Sequence, residues 1–162
     1  MSTDRIEKSI LLRAPMARVW QAIADSAHFG AWFGLRAEGP FVAGRKLRCT
    51  IQPTSVDAEI AEQQKAYEGI AFHIWVREML PEQRFSFEWL PIDTEASEEQ
   101  EETAPRTLVT FELAQEKDGV RLRISEAGFD QLSPEQRAEA FMRNDEGWTL
   151  QLRNIEGYLA SR

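Results

Sequence analysis

SPEQRAEAFMRNDEGWTLQLRNIEGYLASR, residues 133–162, is the stretch whose reading decides the fold. Ser133 suits a helix N-cap, Pro134 fits the first helical position, and Gln136 stands where a capping box places its Glu or Gln. Phe141, Trp148, Leu152, Ile155 and Leu159 then recur at steps of seven, four, three and four, one stripe of a 3.6-residue period. At about 1.5 Å per residue such a helix runs roughly 40 Å. An apolar stripe of that length needs a broad surface to cover it, and the rest of the chain must supply one.

Working back from the helix, Lys117-Asp118-Gly119 separates two alternating runs, Thr107–Leu113 and Val120–Glu126, and Asp-Gly between such runs signals a hairpin. Arg84–Leu90 puts Phe85, Phe87 and Trp89 on one side and Arg84, Ser86 and Glu88 on the other. Gly69–Met79 carries apolar residues on both parities, as a strand covered on both faces does. Lys46–Gln52 alternates around Leu47, Cys49 and Ile51, while Leu35–Phe41 is a short strand candidate broken by Gly39-Pro40. At the start, residues 4–13 read as a half-buried strand. Two short helices follow, one with Met16, Val19, Trp20 and Ile23 on a face, the next carrying His28, Phe29, Trp32 and Phe33 up to Gly34.

Two segments lack apolar anchors. Pro53–Ala66 reads as a surface excursion with a helical turn at Ala58–Gln64. Asp93–Thr103 holds six acidic residues and no basic one, which predicts a solvated, mobile loop.

Strands flanked by segregated helices predict an α+β domain over residues 1–162, with a curved antiparallel sheet of about six strands gripping the long C-terminal helix and two short helices after the first strand. At 162 residues, with 43% hydrophobic content, five Trp and nine Phe, one core is sufficient. A formal charge of −8 opposes non-specific attraction to nucleic acid or to an anionic membrane. The single Cys49 excludes an intrachain disulfide, Met1–Lys8 lacks an apolar leader core, and no run is long enough to span a membrane, so a cytoplasmic protein is expected, monomer or homodimer.

Ala14-Pro15 with Val19-Trp20, Trp32-Phe33, Pro81 with Phe85-Ser86-Phe87-Glu88-Trp89, Thr107-Leu108-Val109-Thr110-Phe111, and Gly147-Trp148 with Leu152 and Tyr158-Leu159 together resemble the START-like, or SRPBCC, superfamily. Their order is most similar to the branch related to the C-terminal domain of the activator of Hsp90 ATPase. The resemblance implies a helix-grip fold, a small apolar or amphipathic ligand between sheet and helix, or a chaperone as partner, and for other members cyclase or hydrolase chemistry. Residues 53–66 and 93–103 exceed the connections usual in the branch and would reshape a pocket mouth. The separate N-terminal domain of the eukaryotic activator is not expected, since the first strand begins at residue 4.

The candidate ligand-binding residues are Trp32, Phe33, His73, Trp75, Phe87, Trp89, Phe111, Glu126 and Trp148. The aromatic members suit a concave apolar site, though each is equally ordinary core material. Gly147 inside the helix would make room for a ligand or strand, with Trp148 as a wall, or would mark only a helix–sheet contact or a kink after Asn144-Asp145. His73 is the histidine within a strand, suited to act as base or ligand, or simply structural, and alternation sets it with Trp75 and Arg77. Glu126 shares parity with Val120, Leu122 and Ile124, so it is the carboxylate expected inside. Two histidines, one cysteine and no ligand-spaced cluster give no metal site, no cofactor fingerprint is present, and no catalytic residue is assigned.

Overall fold

A computed structural model describes residues 4–91 and 98–161. Seven strands form one antiparallel sheet: β1 (Arg5–Leu12), β2 (Leu35–Ala37), β3 (Lys46–Ile51), β4 (Ala71–Leu80), β5 (Arg84–Trp89), β6 (Thr107–Glu116) and β7 (Gly119–Ala127). The helices are α1 (Met16–Ala24), α2 (Ser26–Phe33), α3 (Ala58–Gln64), α4 (Glu98–Thr103) and α5 (Pro134–Ala160). The sheet order is β1-β7-β6-β5-β4-β3-β2. The chain therefore crosses from one edge to the other through α1 and α2, then meanders back until β7 pairs with β1. The seventh strand beyond the expected six is β2, cut to three residues where Gly39-Pro40 follows.

α5 spans 27 residues, and Ser133 Oγ accepts from the Gln136 backbone N–H as its cap. Trp148, Ile155 and Leu159 of the expected stripe are buried, while Phe141 and Leu152 pack half-buried against the core. Arg18 of α1 donates to the Leu159 carbonyl, which satisfies one orphan acceptor at the end of α5. No helix among the described residues is long and apolar enough to cross a membrane.

The core between the sheet and α2 is aromatic. Phe29 lies 4.9 Å from Trp32, 5.4 Å from Phe41 and 5.8 Å from Phe111, ring centre to ring centre. Edge-to-face pairs of this kind contribute about 0.5–1.5 kcal/mol beyond their buried area. α2 can enter this core because Gly30 permits close approach: a Cβ there would stand 2.2 Å from the Leu35 carbonyl oxygen. Asp25 starts α2 by accepting from the N–H groups of Ala27 and His28, and Gly34 at φ 101° ends it in the left-handed conformation. That stop makes Phe33 the last residue of the helix.

The acidic segment departs from expectation. Residues 93–97 lie outside the described residues, but Glu98–Thr103 is a helix rather than a loop. Its acidic side chains find partners outside the segment: Lys46 of β3 pairs with Glu102 at 3.0 Å, Arg106, just before β6, with Glu102 at 3.5 Å, and His73 Nδ1 of β4 meets Glu101 Oε2 at 2.8 Å. The segment contains no basic residue of its own, so the sequence window hides the cations that dock it.

Candidate functional site

β7 turns Glu126 inward with Val120, Leu122 and Ile124, as its parity predicts, and the side chain is 0% exposed. Trp148 Nε1 donates to Oε1 at 2.9 Å. Trp89 Nε1 and Thr107 Oγ1 donate to Oε2 at 2.8 and 2.6 Å. Asn144 Nδ2 spans both oxygens at 3.1 and 3.0 Å. Four neutral donors from β5, β6 and α5 thus converge on one carboxylate, and together they fill its roughly four lone-pair sites. Because two of the donors stand on α5 and two on β5 and β6, the cluster fastens α5 to the sheet at the helix centre. The Trp89 and Trp148 rings stack 5.8 Å apart over it.

In front of this cluster opens a cleft of about 700 Å³. Phe33, Phe72 and Trp89 form its aromatic floor, with ring separations of 6.1 Å for Phe33–Trp89 and 6.4 Å for Phe72–Trp89. Asn144 and Arg143 bring α5 to one wall, and Arg143 donates to the Pro91 carbonyl at 2.7 Å. Gln64 and Tyr67 also line the cleft, and Tyr67 and Ile70 stand 51% and 50% exposed. Both long connections reach the cleft, the 53–66 segment through Gln64 and the acidic one through Glu101.

Gln64 is anchored at both ends of its amide, since its Oε1 accepts from Thr54 N at 2.7 Å and its Nε2 donates to the Phe33 carbonyl at 3.0 Å. α3 is held in place by Asp57, which caps it and accepts from Arg153 of α5 at 3.0 Å. Hydrogen bonding from the Ile60 N–H, with Arg153 alongside, holds the Asp57 carboxyl below the usual carboxylate range.

Of the nine candidate residues, Phe33, His73 and Trp89 line the cleft. Trp32, Phe87 and Phe111 are enclosed in the core, and Trp32 Nε1 donates to the Ala22 carbonyl at 2.7 Å to join α1 and α2. Glu126 and Trp148 stand behind the cleft wall rather than in it. Trp75 lies on the other face of the sheet, between the Arg106 guanidinium at 3.7 Å and the Lys46 ammonium at 5.3 Å. It shares its parity with His73 and Arg77, and of the three only His73 lines the cleft. A Cβ on Gly147 would meet nothing within 4 Å, so no strand or side chain among the described residues needs the space it leaves.

The sequence reading missed Phe72, Tyr67, Ile70 and Asn144. Asn144 had a signal, because it precedes Trp148 by four residues and so shares its helix face.

Titratable groups around the site take distinct settings. The Lys46 ammonium holds the Glu102 carboxyl below its ordinary value, chiefly by hydrogen bonding, with Arg106 adding to it. Burial pushes the Cys49 thiol up to about 12, reinforced by the charge of Glu38. Among the described residues no group of three or more His, Cys, Asp or Glu side chains is placed to hold a metal ion.

A family model described as activator of Hsp90 ATPase homolog 1-like protein matches residues 13–160. Among solved structures, protein MLL2253 from Mesorhizobium loti superposes with a TM-score of 0.70 at 18% identity, covering 97% of each chain. Protein CV1439 from Chromobacterium violaceum gives 0.68 at 17% identity over 98% of each chain. Protein BPP1335 from Bordetella parapertussis gives 0.67 at 19% identity over 100% of this chain and 78% of that one. At these identities the likeness is one of fold. No curated protein matches the chain.

Proposed function

We propose, given that this chain belongs to the activator of Hsp90 ATPase homolog 1-like protein family, that it works as a single cytoplasmic domain and binds a small apolar or amphipathic molecule in the cleft over Phe33, Phe72 and Trp89. One observation carries the reading: about 700 Å³ of space ends on an aromatic floor in which Trp89 is fixed from behind by Glu126. Sites for small organic molecules are concave, about 300–1,000 Å³, and mainly apolar with a few placed polar groups. The enclosed Glu126 has no surface in the cleft, so the role it supports is positioning rather than proton transfer.

The test is a thermal-shift screen of apolar and amphipathic compounds, followed by native mass spectrometry of the hits. A ligand at a hundred times its Kd stabilises by about 2.7 kcal/mol, which raises Tm by roughly 5–10 °C in a chain of this size. The reading expects such a shift for the wild type and its loss in Trp89→Ala. A screen with no shift and no adduct overturns it.

A second reading, protein docking of the co-chaperone type, draws on the family description and on the exposed Tyr67 and Ile70 of the cleft lining. It expects a change in the ATPase rate of an Hsp90-type chaperone that Tyr67→Ser/Ile70→Ser abolishes. An unchanged rate with the wild-type chain removes it.

A further inference from the structure

The cleft floor carries a polarity that its aromatic lining conceals. Asn144 lines the cleft, yet its amide nitrogen is turned away from it, donating to both Glu126 oxygens. Only the NH₂ group can face a carboxylate, so the orientation of this amide is settled by chemistry rather than by choice between N and O. Its Oδ1 accepts from no group among the described residues and is not sealed from solvent. Trp89 is turned the same way: its indole N–H goes back to Glu126, leaving ring surface toward the cleft. Gln64, also in the lining, has both ends of its amide hydrogen-bonded to backbone. The polar group that this wall of the cleft offers beside Trp89 is therefore an acceptor, the Asn144 carbonyl oxygen, while Arg48, Tyr67, His73, Glu101 and Arg143 also line the cleft.

We infer that Asn144 Oδ1 is the specificity-determining contact of this cleft, and that its ligand class is a flat apolar molecule bearing an N–H or O–H donor. Glu126 acts through Asn144 as a positioning residue, because its occupied lone pairs hold the amide in the one orientation that offers oxygen to the ligand. The inference rests on the ligand-binding reading above. It also disfavours something: a ligand of the same shape whose polar group at Asn144 is only an acceptor meets an acceptor there and loses the contact with water it held outside.

A matched pair of probes tests it, 2-naphthol and 2-methoxynaphthalene, titrated into the full chain by calorimetry. 2-Methoxynaphthalene is the more apolar, so it binds tighter wherever the hydroxyl finds no acceptor. The inference expects the reverse in the wild type, 2-naphthol tighter by about three- to tenfold, the worth of one net hydrogen bond. In Asn144→Leu the preference should vanish or invert while 2-methoxynaphthalene still binds. Should that variant fail to fold, the wild-type ratio decides alone. Binding of both probes with 2-methoxynaphthalene preferred overturns the donor inference and leaves the cleft standing. Binding of neither overturns the ligand-binding reading itself, and this inference falls with it.

Discussion

Replacing Glu126 should separate its two oxygens by cost. Each oxygen receives one indole N–H, Trp148 on Oε1 and Trp89 on Oε2, and an indole can only donate. In Glu126→Gln one oxygen becomes an NH₂ group, so whichever way the amide turns, one tryptophan faces a donor. The lost acceptor costs about 1–3 kcal/mol, a fall in Tm of roughly 2–12 °C. Glu126→Leu strips every acceptor. Trp89 and Asn144 border the cleft and recover water, but Trp148 and Thr107 are buried and do not. Two unmet buried donors, offset in part by no longer desolvating a carboxylate, cost roughly 4 kcal/mol. Urea denaturation followed by far-UV circular dichroism measures both without relying on tryptophan emission, which the substitutions themselves disturb. The expected order is wild type, then Gln, then Leu, at unchanged m-value. A leucine variant as stable as the wild type would refute the reasoning, since it would mean that the apolar replacement outweighs the whole cluster.

The remaining predictions concern single groups. Gly147→Ala should stabilise the protein by about 0.5–1 kcal/mol, because a methyl there meets open space and alanine is the better helix former; a destabilised variant in the same denaturation would contradict the open surroundings. Cys49 should resist iodoacetamide at pH 8 and react fully in urea, since burial keeps its thiol protonated until about pH 12. The sign for stability follows: a folded value raised from 9.0 to about 12 contributes stability that is whole below pH 9 and lost as pH rises toward 12. Glu102 has the opposite sign, its carboxyl being lowered from 4.5, so its contribution to docking α4 is present above that value and lost as pH falls through the folded one. In Lys46→Met the Glu102 midpoint, followed by carboxyl ¹³C NMR, should rise; an unmoved midpoint would show that Lys46 is not its partner.

The fold was legible because it rests on periodicity and on turn chemistry, which are local. Ser133-Pro134, the alternation around Leu122 and Ile124, and the capped turn at Ala58–Gln64 each announce an element without reference to anything distant. Inward parity was legible too, and it placed Glu126 correctly. Depth was not. Phe87, Phe111 and Trp89 share the same face signal, yet only Trp89 reaches the cleft, because distance from the open end of a curved sheet is a property of the assembled layers. The α4 segment failed for a related reason: Lys46, His73 and Arg106 come to it from two strands and the residue before a third. The orientation of the Asn144 amide needs the carboxylate from β7 and the helix from the C-terminus at once, and no window of sequence holds both.

The central claim is that the aromatic floor backed by Glu126 is a binding surface for small molecules. The direct measurement is a ¹H–¹⁵N spectrum of the labelled chain titrated with 2-naphthol. The account predicts saturable shifts in the Trp89 indole and Asn144 side-chain amide resonances, with backbone shifts at Phe33 and Phe72 and none at Trp75 on the far face of the sheet. Shifts centred on Trp75, or no saturable shift anywhere, would contradict it.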